Sequence, residues 1–473
     1  MRWTHLPRSD RSLTYKLSFW RRSRVAYDMI PVRIPKLAIG GLLLGSALLL
    51  PYPALAQTTP LPSTGEAPPR ISSAAIPSHP YSVVGPRGAI LGQQDGSAEV
   101  WLFPWKILDQ MHLNVEMQDY PVPIDANRQA SSIDVEPDQT TITYSHANFT
   151  IRQIMLAPKA PADAPGALVL FQFAAVRPMT VTFSFNPVMQ RMWPADSPDR
   201  PSPEWVHNPD GSGFYMLHLN FPEPAAAIAL PGAGPGILPP YQERASAWPL
   251  QFVLHFDPSR DSGKVYPMLF AFAGSTGDAT TEALRQNIDR LQANVSTIRS
   301  QNAGYYRDFL ARSTSIETPD AHLNAAFSWA ETSIDQLKVD TGSAGKQQAL
   351  TAGFVGSGDA ARPGFGWFFG RDALWSLYAV NSYGDFTTTK EEIRFLIDHQ
   401  SREGKIMHEW SQTAGMVDWA ALPYQWASSD ATSLFLMAAS DYLRISGDRA
   451  FIASIWPDLQ RAWIFESTHD SDG

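Results

Sequence analysis

The sequence predicts a multidomain fold of β and α parts, in which an N-terminal antiparallel β-sandwich precedes stacked helical hairpins. Three observations predict it. Residues 81 to 275 contain many short segments in which apolar residues alternate with polar ones, separated by frequent turns. From Pro319 onward, apolar residues recur instead with helical spacing. The length of 473 residues leaves room for more than one hydrophobic core.

The composition is typical of a globular protein, and the negative net charge disfavours anionic binding partners. Hydrophobic residues make up 44% of the chain and charged residues 18%. The net charge is −9, but residues 1 to 56 hold nine basic and only two acidic groups, which leaves −16 on the remainder. So acidic a chain repels nucleic acid and anionic membrane surfaces. A neutral ligand, such as an oligosaccharide or polysaccharide, is compatible with this negative charge.

The chain has no cysteine, which excludes disulfides, thiolate metal sites and cysteine nucleophiles. The segment HEWSQ at 408 to 412 is not a zinc-protease motif, because Gln412 occupies the position of the second histidine in HExxH. We therefore expect neither a metal nor another cofactor.

Residues 1 to 56 have the features of a signal peptide with an extended basic region. The uncharged run LAIGGLLLGSALLL fills 37 to 50, preceded by Arg33 and Lys36 and followed by Ala54-Leu55-Ala56. We expect cleavage after Ala56 and a periplasmic or secreted protein. The alternative is a membrane anchor, but a span needs about 20 apolar residues, so we expect no stable anchor after cleavage.

The segments that follow can be assigned in order. Residues 57 to 80 are rich in Pro, Ser and Thr and are predicted to be a linker or an extended arm. Within the sandwich at 81 to 275, Thr141–Tyr144 and Phe149–Ile154 fit a hairpin with its turn near Ala147-Asn148. Residues 208 to 211, Asn-Pro-Asp-Gly, predict another turn.

The second part is predicted to be helical throughout. Residues 276 to 317 form a helical linker, and residues 318 to 473 form the hairpins. The first hairpin helix has Leu323, Ala326, Phe327 and Ala330 on one apolar face. Further helices are predicted at Asp372–Tyr383, Thr388–Ser401, Ser429–Ile445 and Arg449–Glu466.

The segment GFGWFFGRDALW at 364 to 375 is the densest in residues suited to binding a sugar. Trp367 and its aromatic neighbours precede Arg371 and Asp372, which open a helix. A guanidinium beside a carboxylate offers directed donors and acceptors for sugar hydroxyls, and an aromatic ring suits the C–H face of a sugar. The alternative is structural: an N-capping Asp with a salt-bridged Arg below a core of aromatic residues.

Two further clusters combine an aromatic residue with charged ones. His408 and Glu409 lie on a loop after a helix, where the alternative is a solvated pair. Trp426 and Asp430 lie just before a later helix, where the alternative for Asp430 is capping. Since each of the three clusters borders a helix, all three would meet at one end of a helical-hairpin barrel.

The order of sandwich, linker helix and helical barrel is similar to that of bacterial glucoamylases in the six-hairpin glycosidase superfamily. The runs GWFFGRDALWS, IMHEWS and YQWASSDATSLFLMAASDYLRISGD resemble the glycogen-debranching amylo-α-1,6-glucosidase domain. The resemblance implies a partial (α/α)6 barrel over 318 to 473. It also implies that Arg371 and Asp372 bind hydroxyls of the terminal sugar, and that Asp430 lines the same pocket.

The function that the resemblance implies is an exported, inverting glycoside hydrolase acting on α-glucans or related oligosaccharides. Residues 318 to 473 provide too few helices for a complete barrel, so we expect the catalytic acid and base to be missing from this chain and assign no catalytic residue. Two alternatives stay open. One is a glycoside phosphorylase with the same architecture, and the other is a sugar-binding protein without turnover.

Overall fold

The computed structural model describes most of the chain beyond the predicted export signal. The described residues are 69–161, 165–195, 201–209, 211–219, 224–237, 249–273, 280–342, 347–358 and 360–469. The predicted signal peptide and the first half of the predicted linker therefore lie outside them. Among the described residues, no helix combines the length and apolar character needed to cross a membrane.

Two large antiparallel sheets make up the first part of the structure. Their strands are β1 Ile71–Ala74, β2 Pro80–Gly85, β3 Gly88–Gln93, β4 Ala98–Leu102, β5 Trp105–Met117, β6 Ile124–Asp125, β7 Ala130–Glu136, β8 Gln139–His146, β9 Phe149–Leu156, β10 Leu168–Ala175, β11 Met179–Arg191, β12 Ser202–His207, β13 Gly213–His218, β14 Ala225–Ala229, β15 Gly234–Pro235, β16 Leu250–Phe256 and β17 Val265–Ala273. One sheet has the order β1-β7-β8-β9-β10-β17-β14-β13-β12, and the other has the order β15-β16-β11-β5-β4-β3-β2, with β6 beside β5.

The apolar faces of the two sheets form one core. Val181, Phe183 and Phe185 of β11 alternate with half-buried polar residues, as a strand with one buried face requires. Phe183 meets Phe171 of the other sheet, their ring centroids 4.8 Å apart. The hairpin expected around Ala147-Asn148 is present as β8 and β9, with His146 opposite Phe149.

The end of the segment predicted to be a linker or an extended arm forms a strand of the sheet. In β1, Ile71 to Ala74 pair with Val135 to Ser132 of β7. All four residues of β1 are exposed. Because an edge strand that buries no side chain needs no alternation of polar and apolar residues, the sequence pattern gave no sign of it.

The helices are α1 Pro258–Asp261, α2 Thr281–Arg312, α3 Ala321–Gln336, α4 Gly370–Tyr383, α5 Phe386–Asp398, α6 Ala431–Ser446, α7 Arg449–Ser454 and α8 Trp456–His469. The predicted helical linker is thus one helix of 32 residues, α2. Leu284 and Ile288 near its start pack on the outer face of the nine-stranded sheet. Phe309 near its end joins the core of the helices instead. One rigid element therefore contacts both parts of the fold.

The helical core is built mainly by α4, α5 and α6, which bury Leu377, Phe395 and Phe435 against one another. The helix predicted at 449 to 466 is divided into α7 and α8. Pro457 stands in the first turn of α8, where it can supply no amide to a continuing helix.

Helix α3 presents a different face to the protein from the one predicted. Leu323 is 52% exposed, and Ala326 and Ala330 are also exposed. The fully buried side of α3 carries Glu331, Thr332 and Asp335.

Ion pairing explains this orientation. Lys159 Nζ lies 3.1 Å from Asp335 Oδ2, and Lys338 Nζ pairs with Asp335 Oδ1. Because Lys159 belongs to the sandwich, helical spacing within α3 could not reveal this partner.

A small sheet that the sequence analysis did not predict lies among the helices. Its strands are β18 Lys338–Asp340, β19 Gln348–Gly353, β20 Phe365–Phe369 and β21 Glu409–Trp410, paired in that order and antiparallel. It contains two of the predicted site residues, Trp367 on β20 and Glu409 on β21.

Candidate functional site

The start of α4 is packed directly against the segment that carries His408. Gly370 N donates to His408 O at 2.9 Å. A Cβ atom on Gly370 would lie 2.3 Å from Met407 O, so only glycine permits this approach. On the adjacent strands, Phe369 is paired with Glu409. The first two predicted clusters are therefore neighbours in space.

Trp367 and Glu409 form a buried polar pair. Trp367 Nε1 donates to Glu409 Oε2 at 2.7 Å, and both side chains are buried. A hydrogen bond to a buried carboxyl group fixes the indole ring more firmly than apolar packing alone. Since Glu409 is buried and bonded, it is not the solvated loop residue of the alternative interpretation.

Arg371 and Asp430 join the first and third clusters. Arg371 Nε lies 2.8 Å from Asp430 Oδ2 and 3.0 Å from Oδ1, and both side chains are close to half exposed. Ser428 Oγ donates to Asp430 Oδ1 at 2.6 Å. The hydrogen bond from Ser428, followed by that from Arg371 and its charge, lowers the pKa of Asp430, so this carboxylate is ionised at neutral pH.

Neither aspartate caps its helix through its side chain. For α6, the amide of Ala431 donates to Ser428 Oγ at 3.1 Å, and Asp430 makes no capping bond. Asp372 lies exposed in the first turn of α4, where the helix dipole favours a negative charge. Its carboxylate forms no ion pair or hydrogen bond with any residue that the structure describes. The capping alternatives are thus absent, and Arg371 pairs with Asp430 instead of Asp372.

His408 and Trp426 border these pairs. The His408 ring meets Phe369 edge to face, with centroids 5.7 Å apart, and His408 N donates to Gln425 O at 2.6 Å. His408 Nδ1 is buried without a hydrogen-bond partner among the described residues. Trp426 is 37% exposed, and its carbonyl accepts a hydrogen bond from Lys405 Nζ at 2.8 Å.

The structure adds an aromatic cluster that sequence reasoning did not assign to the site. Trp193, which follows β11 of the sandwich, contacts Trp367, with ring centroids 5.1 Å apart. It also meets Trp419 at 5.8 Å and Tyr424 at 5.0 Å, both edge to face. Tyr424 belongs to the segment of the third predicted cluster, but nothing in the local sequence around Trp193 indicates that the sandwich reaches this place.

The site offers the groups that a neutral, hydroxylated ligand needs. The terminal nitrogens of Arg371 are potential donors, and the carboxylate of Asp372 is an exposed acceptor. The Trp367 and Phe369 rings, with centroids 5.6 Å apart, are both buried. Within the described ranges, no group of three or more His, Asp or Glu residues could hold a metal ion.

No protein-family model matches the sequence, and no curated protein matches it. Among solved structures, the chain is similar to a bacterial glucoamylase complexed with acarbose, with 9% identity, a TM-score of 0.49, and coverage of 87% of this chain and 69% of that one. It is also similar to a protein described as a kojibiose phosphorylase from the human microbiome, with 10% identity, a TM-score of 0.45, and coverage of 81% of this chain and 50% of that one. A third similar structure is a family GH92 α-mannosidase from Bacteroides thetaiotaomicron, with 10% identity, a TM-score of 0.26, and coverage of 73% of this chain and 50% of that one. The chain thus spans about half of the latter two proteins. These structures include the glucoamylase type that the motifs of this chain resemble.

Proposed function

We propose that this protein is an exported glycoside hydrolase of the glucoamylase or debranching kind, acting on α-glucans or related oligosaccharides. One observation carries the proposal: the Arg371–Asp430 pair and the unpaired Asp372 share one end of α4 and α6 with the Trp367–Glu409 pair. The apolar run at 37 to 50 with its basic flank supports export. Helices α3 to α8 would belong to an (α/α)6 barrel.

In this proposal, Arg371 and Asp372 bind sugar hydroxyls directly. Asp430 holds Nε of Arg371 and so restricts the orientation of the guanidinium, whose terminal nitrogens would donate to the ligand. Asp372 accepts hydroxyl hydrogen bonds, since no protein group competes for it among the described residues. The buried bond to Glu409 keeps the Trp367 ring in place.

The reaction would proceed with inversion. An inverting enzyme uses a carboxylic acid to protonate the leaving oxygen and a second carboxylate, about 6.5 to 9.5 Å away, to activate water. We assign neither role to a residue of this chain, so the sharpest test is of sugar binding.

The test compares Asp372→Asn with the unaltered protein. We expect the affinity for maltooligosaccharides to fall by about tenfold or more, because a charge-assisted hydrogen bond to the ligand is weakened. The melting temperature should fall only slightly, since the carboxylate has no partner among the described residues and loses only its favourable interaction with the dipole of α4, worth about 0.3 to 1 kcal/mol. Isothermal titration calorimetry and thermal unfolding measure the two quantities.

The matched control is Asp289→Asn, which alters another exposed aspartate in a helix, on α2. It should leave both affinity and melting temperature unchanged. An Asp372→Asn variant that binds as tightly as the unaltered protein would contradict the proposal. So would a variant that loses thermal stability while each folded molecule still binds normally.

A further inference from the structure

The backbone around Trp193 ties the sandwich to the candidate site. Trp193 N donates to Ala361 O at 2.9 Å, and Ser411 Oγ donates to Trp193 O at 2.6 Å. Thr413 Oγ1 donates to Met192 O at 3.0 Å. Since three hydrogen bonds hold two consecutive residues, the position of the Trp193 ring is set by both parts of the fold.

The Trp193, Trp367 and Tyr424 rings form a contiguous aromatic wall. The Trp193 ring lies 5.1 Å from the Trp367 ring at an interplanar angle of 37°, and Trp367 is in turn bonded to Glu409. Tyr424 packs against its edge. A continuous set of contacts therefore runs from a sandwich residue to the buried carboxylate of the site.

Arg362 lies over this wall. Its guanidinium carbon is 4.3 Å from the centroid of the Trp193 ring, close enough for a cation–π contact. Arg362 is exposed, and its guanidinium forms no ion pair and no hydrogen bond with any residue in the described ranges. Stacking restricts the orientation of the side chain, so less conformational entropy is lost when its donors bind a ligand.

We infer that Arg362, held over Trp193, is a second sugar-binding group, which takes the hydroxyls of a further sugar unit in the oligosaccharide bound by Arg371 and Asp372. The inference rests on the proposed function. Arg362 would bind the ligand, and Trp193 would act as a positioning residue. The sandwich would thereby contribute to the preference for ligand length, which a purely supporting domain would not do.

Ligand length gives the test. The full chain is titrated calorimetrically with maltose, maltotriose, maltotetraose and maltopentaose. With Arg362→Ala, we expect the affinity for the shortest ligand bound to stay within about twofold. For longer ligands, we expect a loss of about tenfold, as for one charged hydrogen-bonding group.

Arg177→Ala is the matched control. Arg177 is an exposed arginine just before the start of β11, whereas Trp193 follows the end of the same strand. This control should leave every affinity unchanged. Trp193→Phe tests the positioning role: it keeps an aromatic ring but narrows the surface below Arg362. We expect it to reduce affinity less than Arg362→Ala does, and for the same longer ligands.

Several outcomes overturn the inference. If Arg362→Ala weakens all ligands equally, or none, the guanidinium does not contact a further sugar unit. If it leaves the oligosaccharides unaffected but weakens the binding of inorganic phosphate, Arg362 is an anion site instead. Failure of the proposed function looks different, because the unaltered protein would then bind none of the four sugars.

Discussion

Glu392 on α5 is a carboxyl group with almost no access to water. It is 1% exposed, and its Oε2 accepts a hydrogen bond from Leu350 N at 2.7 Å. Its Oε1 has no hydrogen-bond partner among the described residues. Burial raises the pKa of Glu392 to about 8, because desolvation penalises the charged form more than one amide hydrogen bond stabilises it.

This raised pKa predicts that stability falls as pH rises. In the unfolded chain Glu392 loses its proton near the ordinary glutamate pKa of 4.5, whereas the folded protein keeps it to about pH 8. The folded state therefore binds more protons in this window, and the free energy of unfolding decreases across it. Urea unfolding at pH 5 and pH 8 should show a smaller decrease for Glu392→Gln. The exposed Glu403→Gln should behave like the unaltered protein, and an equal decrease in all three would contradict the assignment.

At the scale of elements, the contact between the start of α4 and the segment before β21 positions the candidate site. In Gly370→Ala, the new methyl group would meet Met407 O, so the helix start must move. We expect a loss of about 1 to 3 kcal/mol in unfolding free energy and weaker sugar binding, since Arg371 and Asp372 move with the helix. Gly415→Ala, whose methyl group would meet nothing within 4 Å, is the control. Gly370→Ala with unchanged stability and affinity would show that the contact is not a constraint.

At the scale of the whole molecule, a buried ion pair fastens the loop before β20 to the sandwich. Lys106 Nζ lies 3.7 Å from Glu99 Oε2 and donates to Ser357 Oγ at 3.1 Å and to Ala360 O at 3.0 Å. Glu99 Oε1 accepts from Ser357 N at 2.8 Å. Lys106 and Glu99 are both buried, so this connection is shielded from competition by water.

Breaking that connection should destabilise the molecule strongly. Lys106→Met leaves Glu99 buried without its cation, and we expect about 3 to 5 kcal/mol less unfolding free energy. Adding Glu99→Gln should recover part of the loss, because it removes the uncompensated charge. Guanidinium chloride unfolding measures both. Arg128→Met, which breaks an ion pair with Asp125 whose arginine is 84% exposed, should cost less than about 1 kcal/mol. A similar small cost for Lys106→Met would contradict this account.

Patterns of apolar and polar residues over short stretches of the sequence were sufficient to predict much of the secondary structure. Alternation along 141 to 154 identified the hairpin of β8 and β9, and helical spacing placed α4 and α6 within a few residues of their ends. Glycine supports both helix ends: Gly384 and Gly447 adopt positive φ angles of 89° and 69°, which favour that residue. These features depend on residues close together in the chain, so one sequence can reveal them.

The sequence by itself determined which residue types the site contains: an arginine beside an aspartate at a helix start, with tryptophans and a second aspartate further on. Only the tertiary structure decided that Arg371 pairs with Asp430, 59 positions away, and leaves Asp372 unpaired among the described residues. It also brought Trp193 from the sandwich to the site, and turned the polar side of α3 inward to meet Lys159. These outcomes depend on contacts between distant segments, and helical or strand periodicity carries no information about which distant partner a side chain will find.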